Sequence, residues 1–197
     1  MNAEQKIECK NYFLRKMCRV RAEIREQLAE RAVNNLERYY SLLRSTGEQG
    51  IEDLIAAIHA SDFSVSKSAR HHHYPSGTME HCLGVYDLMS KRAEALRQEG
   101  IEVKESDVIL VALLHDVAQG NCPEWRQYSG HGRKSRAIVA RYLPEASEQV
   151  LEAINGHMHF PNPLNPLWNL ISLSDGGLTG DAGKCNKGYV IISDAET

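Results

Sequence analysis

Seven consecutive apolar residues, Val108-Ile109-Leu110-Val111-Ala112-Leu113-Leu114, run directly into His115-Asp116. A helix that is apolar on every face has no side to give to water, so this segment belongs at the centre of the molecule. Ser106 is placed to cap its start. An ionisable pair at the end of such a helix costs free energy unless something compensates it, and a bound metal ion is a common compensation. Imidazole nitrogen and carboxylate oxygen together suit borderline or hard divalent ions such as Fe, Mn, Co or Zn.

The rest of the chain reads as helices arranged around that centre. Phe13, Met17, Val20, Ile24, Leu28, Ala32, Leu36, Tyr39 and Leu43 recur in steps of three and four, which predicts one long helix or two over 4–44. Residues 50–60 form a short amphipathic helix, with His59 as a surface or packed residue. Thr78–Gln98 is a strong helix whose apolar face is Met79, Cys82, Leu83, Val85, Tyr86 and Met89, and Gly100 closes it. Further helices are expected over about 131–142, from Pro144 to near His157, and over Leu167–Ser174. Three prolines in the six residues from Pro161 exclude a helix between the last two. Tyr189–Ile192 reads as a strand, with no strong second strand to pair with it. The expected fold is all-α: a helical arm over 1–48, a bundle over 49–178, and a tail over 179–197 with at most a small β element.

Composition removes several classes. Lys plus Arg is 23 and Asp plus Glu is 26, a net charge of -3, which argues against a dominant surface for extended nucleic acid. No apolar run approaches the ~20 residues needed to span a bilayer, and the N-terminal MNAEQKIECKNYFLRK has no apolar signal core. The five cysteines are scattered, odd in number and without a CxxC pair, so they read as reduced thiols of a cytoplasmic protein. Histidine is the informative residue: of nine, eight lie between 71 and 159.

His81 lies beside the apolar face of its helix. His131 opens the helix after the Trp125 loop, His157 ends the next, and Asp175 ends the apolar stretch LISLSD. Each sits at or near the end of a core-facing segment, where side chains from several helices can converge with His115 and Asp116. Arg133 and Lys134 follow His131 within one turn, where they can donate to a phosphate near a helix N-terminus or simply face solvent. The run His71-His72-His73 precedes the first of these helices. Cys82 beside His81 has no pattern for nucleophilic catalysis around it.

In this order the segments HHHYPSGTMEHCLGVYDLM, VALLHDVAQG, HGRKSRAIVARYLP, EAINGHM and LISLSD resemble those of the HD-domain superfamily of metal-dependent phosphohydrolases, over about residues 69–178. The resemblance implies a bundle of at least five helices around a metal site. It implies His81, His115, Asp116 and Asp175 as core ligands. In branches with two ions, Asp116 bridges them, and His131 and His157 hold the second. It implies one or two divalent ions, adding Ni and Mg to the candidates, and a substrate approached by the 71–73 run, by His73 first. Two departures stand out. Gln119 occupies the position where many relatives carry lysine after the HD pair, and Asp194 in VIISDAE imitates the closing motif three residues from the end. Asp175 is favoured as the closing ligand because it follows an apolar, helix-like stretch.

The resulting expectation is a phosphohydrolase that cleaves a nucleotide or other small phosphoester with a metal-activated water. The alternatives are a non-catalytic HD module that senses a ligand or binds a partner, and a di-iron HD oxygenase. A homodimer through the N-terminal helix is the expected assembly under the sharper reading of the arm; the plainer reading packs that arm on its own domain.

Overall fold

The computed structural model describes residues 1–67, 72, 74–120, 125 and 130–185, with side chains as far as residue 176. The apolar segment forms helix α5, Glu105–Leu114, and none of its seven apolar residues is more than 4% exposed. Its first residue is Glu105, preceded by Lys104 with no side-chain cap, so Ser106 lies inside the first turn rather than capping it.

The described residues form seven further helices: α1 (Ala3–Lys16), α2 (Ala22–Ser45), α3 (Ile51–Ala60), α4 (Gly77–Gln98), α6 (His131–Tyr142), α7 (Glu148–Gly156) and α8 (Pro166–Cys185), of which α2, α4, α7 and α8 pack against α5. Two 3-10 turns, Phe63–Val65 and Val117–Gln119, complete the described elements, and no strand occurs among them. No helix of the described residues is long and apolar enough to cross a membrane.

The N-terminal pattern resolves into two helices. The Arg25 side chain donates to the carbonyls of Cys18 and Val20 at 3.0 and 2.8 Å, which holds the turn between α1 and α2. Eight of the nine residues in the helical series from Phe13 to Leu43 are buried; Ile24 is half-buried. That face of α2 is turned inward, against α4 and α5. The Tyr39 hydroxyl donates to the Leu113 carbonyl at 2.5 Å, and Arg38 pairs with Asp87 of α4.

α4 lies along α5, with Cys82, Leu83, Val85, Met89 and Ala93 buried between them and α8. Tyr86 is only half-buried, because its hydroxyl donates to Glu105 at 2.9 Å. Gly100 closes α4 with φ +82°. α6 and α7 pair tightly because Gly132 has no side chain: a Cβ there would lie 2.3 Å from the Asn155 carbonyl oxygen. Gly156 serves α7 and α8 in the same way, since a Cβ would lie 2.1 Å from the Trp168 ring.

Two boundaries differ from expectation. α7 starts after Ser147, whose hydroxyl accepts from the Val150 amide, while Pro144 sits in the preceding turn. α8 begins at Pro166 and continues through Gly176 and Gly177 to Cys185, so the expected tail begins inside a helix. The expected strand at Tyr189–Ile192 lies outside the described residues, as does Asp194.

Candidate metal centre

Five of the elements deliver the polar side chains to one point. His115 and His157 occupy the positions immediately after α5 and α7, both still with helical backbone angles. Each turns its Nδ1 back to the carbonyl three residues earlier: His115 to Ala112 at 2.9 Å, His157 to Ile154 at 2.7 Å. A carbonyl only accepts, so Nδ1 carries the hydrogen and Nε2 keeps its lone pair. These bonds also satisfy carbonyls that a helix end leaves without a partner.

The Nε2 atoms point at a cluster. His115 Nε2 lies 3.3 Å from His81 Nε2, and His81 Nε2 lies 3.1 Å from Asp175 Oδ1. Asp116 divides its oxygens. Oδ2 lies 3.8 Å from His115 Nε2, while Oδ1 meets His131 Nε2 and lies 3.6 Å from His157 Nε2. The rings follow one another, His81 to His115 at 5.3 Å, His115 to His157 at 4.9 Å, and His157 to His131 at 5.1 Å between centroids.

Burial and facing charges set the protonation of the cluster. Burial pushes His157 down to about 4, and the neighbouring His115 adds to the shift. Burial likewise lowers His115, with Asp116 opposing. For Asp116, burial acts to raise the carboxyl, but His115, His131 and His157 together hold it well below the usual carboxylate range. Asp175 is lowered too, since its hydrogen bond with His81 and the neighbouring His115 and His81 imidazoles outweigh its burial. His131 is raised by its hydrogen bond to Asp116. Burial thus favours neutral imidazoles at His115 and His157, while Asp116 and Asp175 are held ionised, the forms in which both bind metals.

The residues fit a divalent ion on three grounds. The donors include two sets, His81-His115-Asp175 and His115-Asp116-His157, each with its ligand atoms within 4.8 Å of one another. His157 Nε2 is buried with no hydrogen-bond partner, an arrangement that costs free energy unless a cation takes the lone pair. The 3.3 Å between His115 and His81 Nε2 is the spacing of two nitrogens that share one ion at about 2.1 Å.

All six expected ligand residues are therefore brought together. The substrate candidates are not. Arg133 is exposed and lays its stem along Gly130, and Lys134 is half-buried, its charge acting on His131 without touching the cluster. His73 lies outside the described residues. Its neighbour His72 is buried, with φ +54° and its ring 6.3 Å from that of His81. His159 is exposed. Trp125 is fully buried beside Gly120, a packing role. Burial pushes the Cys82 thiol far up, aided by the Asp116 and Asp175 charges, which makes it inert. Two contacts were not legible in the sequence: the Tyr39 hydroxyl on the last turn of α5, and the Gln119 amide, whose Nε2 lies 3.5 Å from His131 Nδ1.

A family model described as HD domain matches residues 78–176, about half of the chain, and the chain belongs to that family. HD domains are for the most part metal-dependent phosphohydrolases, so divalent metal binding and hydrolase-type chemistry are what membership implies. No curated protein and no solved structure matches the chain.

Proposed function

We propose that the protein is a metal-dependent phosphohydrolase acting on a nucleotide or another small phosphoester, with two divalent ions in the cluster. The division of the Asp116 carboxylate carries this reading: one oxygen faces His115, the other faces His131 and His157. His81, His115 and Asp175 would hold one ion, His131 and His157 the other, with Asp116 between them. Such ions, when bound, act as Lewis acids toward phosphoryl oxygens and activate water near neutral pH.

The chain's own groups supply the remainder. The Nδ1 bonds to Ala112 and Ile154 fix two imidazoles before anything binds, so little reorganisation is needed. His131 sits at the first position of α6, where the helix field favours an anion, and Arg133 and Lys134 in the same turn would draw in the substrate phosphate. The net charge of -3 favours a small substrate over extended nucleic acid. A purely structural module has no use for four imidazoles and two carboxylates in its core, where each costs free energy.

Elemental analysis of untagged protein purified without chelator tests the reading. Two equivalents of metal per chain, both required for turnover of a generic phosphodiester or phosphomonoester with Mn2+, are expected. Asp116→Ala should abolish both. No metal after reconstitution, or two metals with no phosphoester turnover across both substrate classes, refutes it.

A further inference from the structure

We propose that Gln119 is a positioning residue that fixes the imidazole of His131 for the second ion, an inference that rests on the two-ion reading. His115 and His157 stand at helix C-termini and use the carbonyl three residues back. His131 stands at the start of α6 and has no preceding turn of helix behind it. Its side chain is 34% exposed, whereas those of His115 and His157 have no exposure. Among the described residues, the partner of its Nδ1 is the Gln119 side-chain amide at 3.5 Å.

Gln119 is held in that position by backbone. It closes the 3-10 turn Val117–Gln119, which continues directly from Asp116, and the Ala118 amide donates to the Ser135 hydroxyl of α6 at 3.3 Å. Ser135 is fully buried, so the turn is fastened to the helix that carries His131.

A side-chain amide has a donor at one end and an acceptor at the other, and rotation about its last bond exchanges them. As the side chains stand, Gln119 Nε2 faces His131 Nδ1, and His131 Nε2 meets Asp116 Oδ1. An imidazole that held an ion through Nε2 would carry its hydrogen on Nδ1, and the rotated Gln119 would accept that hydrogen through Oε1. A lysine at this position would only donate and could not support the second state. Gln119 thus replaces the carbonyl that the other two imidazoles find in their own helices.

The test is titration of chelator-treated protein with Co2+, read by its visible absorption and by competition with a chelator of known affinity. Gln119→Met and Gln119→Lys should bind the second equivalent about 10–100-fold more weakly, the loss typical of an outer-shell partner. Gln119→Glu keeps the acceptor and should bind it at least as tightly as the wild type. The first equivalent and the melting temperature of the metal-free protein should not change, because Gln119 is exposed. Equal second-ion affinity in wild type, Gln119→Met and Gln119→Lys overturns this inference alone, as does loss in Gln119→Glu equal to that in Gln119→Met. Uptake of fewer than two equivalents by the wild type overturns the two-ion reading and this inference with it.

Discussion

Replacing His157 by leucine should make the metal-free protein more resistant to acid while removing its second metal. His157 is 3% exposed, its Nδ1 donates to the Ile154 carbonyl, and its Nε2 has no partner. Leucine loses the first bond, at a cost of about 1 kcal/mol, and removes a buried unsatisfied nitrogen that costs about 1–3 kcal/mol. The two proteins should therefore be of similar stability at neutral pH. The pH dependence separates them. The folded value is pushed down to about 4 from the ordinary 6.5, so below pH 6.5 the unfolded chain takes up a proton that the folded chain refuses. Stability falls as pH falls through this window, by about 2 kcal/mol between pH 7 and pH 5 from this residue. His115 acts with the same sign; His131, raised in the fold, acts with the opposite sign only above 6.5, and its contribution is already complete below that. Asp116 and Asp175, both lowered, lose their contribution only near pH 4 and below. These groups remain in both proteins, and Asp116 and Asp175 stay ionised at pH 5 in each, so His157 dominates the difference. Urea unfolding of chelator-treated wild type and His157→Leu at pH 7 and pH 5 measures it. The gap should widen in favour of the variant by about 2 kcal/mol on going to pH 5. Parallel losses in the two proteins would refute a neutral, unpartnered imidazole at this site.

Two further outcomes follow from the packing. Gly156→Ala places a Cβ 2.1 Å from the Trp168 ring and should cost about 1–3 kcal/mol, lowering the melting temperature by several degrees and weakening the second ion through its neighbour His157; an unchanged melting temperature would mean that α7 and α8 separate freely. Tyr39→Phe removes the bond to the Leu113 carbonyl and should cost about 1–2 kcal/mol in urea unfolding, without altering metal stoichiometry.

The centre of this fold was legible because burial on every face is written directly into residue type. Val108–Leu114 has no polar side, and the structure buries all of it. The six candidate ligands stood out as polar side chains at or near the ends of core-facing segments, and the resemblance to the HD superfamily joined them into a set. Boundaries were legible only where a single residue decides them. Gly100 ends α4 because it alone accepts the positive φ. Pro144 was misleading, since proline suits a turn as well as a first helical position, and Ser147 is the residue that caps α7. α8 runs past Gly176 and Gly177 although each glycine disfavours a helix by about 1 kcal/mol. Its anchors are Leu167, Leu170 and Ile171, which are buried earlier in the helix. The contact between Gln119 and His131 spans twelve positions and two elements, and no local pattern announces it.

The placement of the histidines also sets the field of the site. α5 and α7 end at His115 and His157, so both helices direct their negative ends at the cluster. A cation there gains from each, by about 0.3–1 kcal/mol at an exposed end and more where water is excluded. α6 meets the same cluster from its opposite, positive end, at His131. The centre therefore has a side that favours cations, deep among buried residues, and a side that favours anions, where His131 is partly open and Lys134 stands nearby. A phosphoester needs both: positive charge against its phosphoryl oxygens and an open approach for its negative charge. If the helices instead met this point with three C-termini, the cluster would bind metal and repel such a substrate. The orientation of α6, with the part-exposed imidazole at its start, is thus the feature that would join metal binding to the proposed phosphate chemistry in one site.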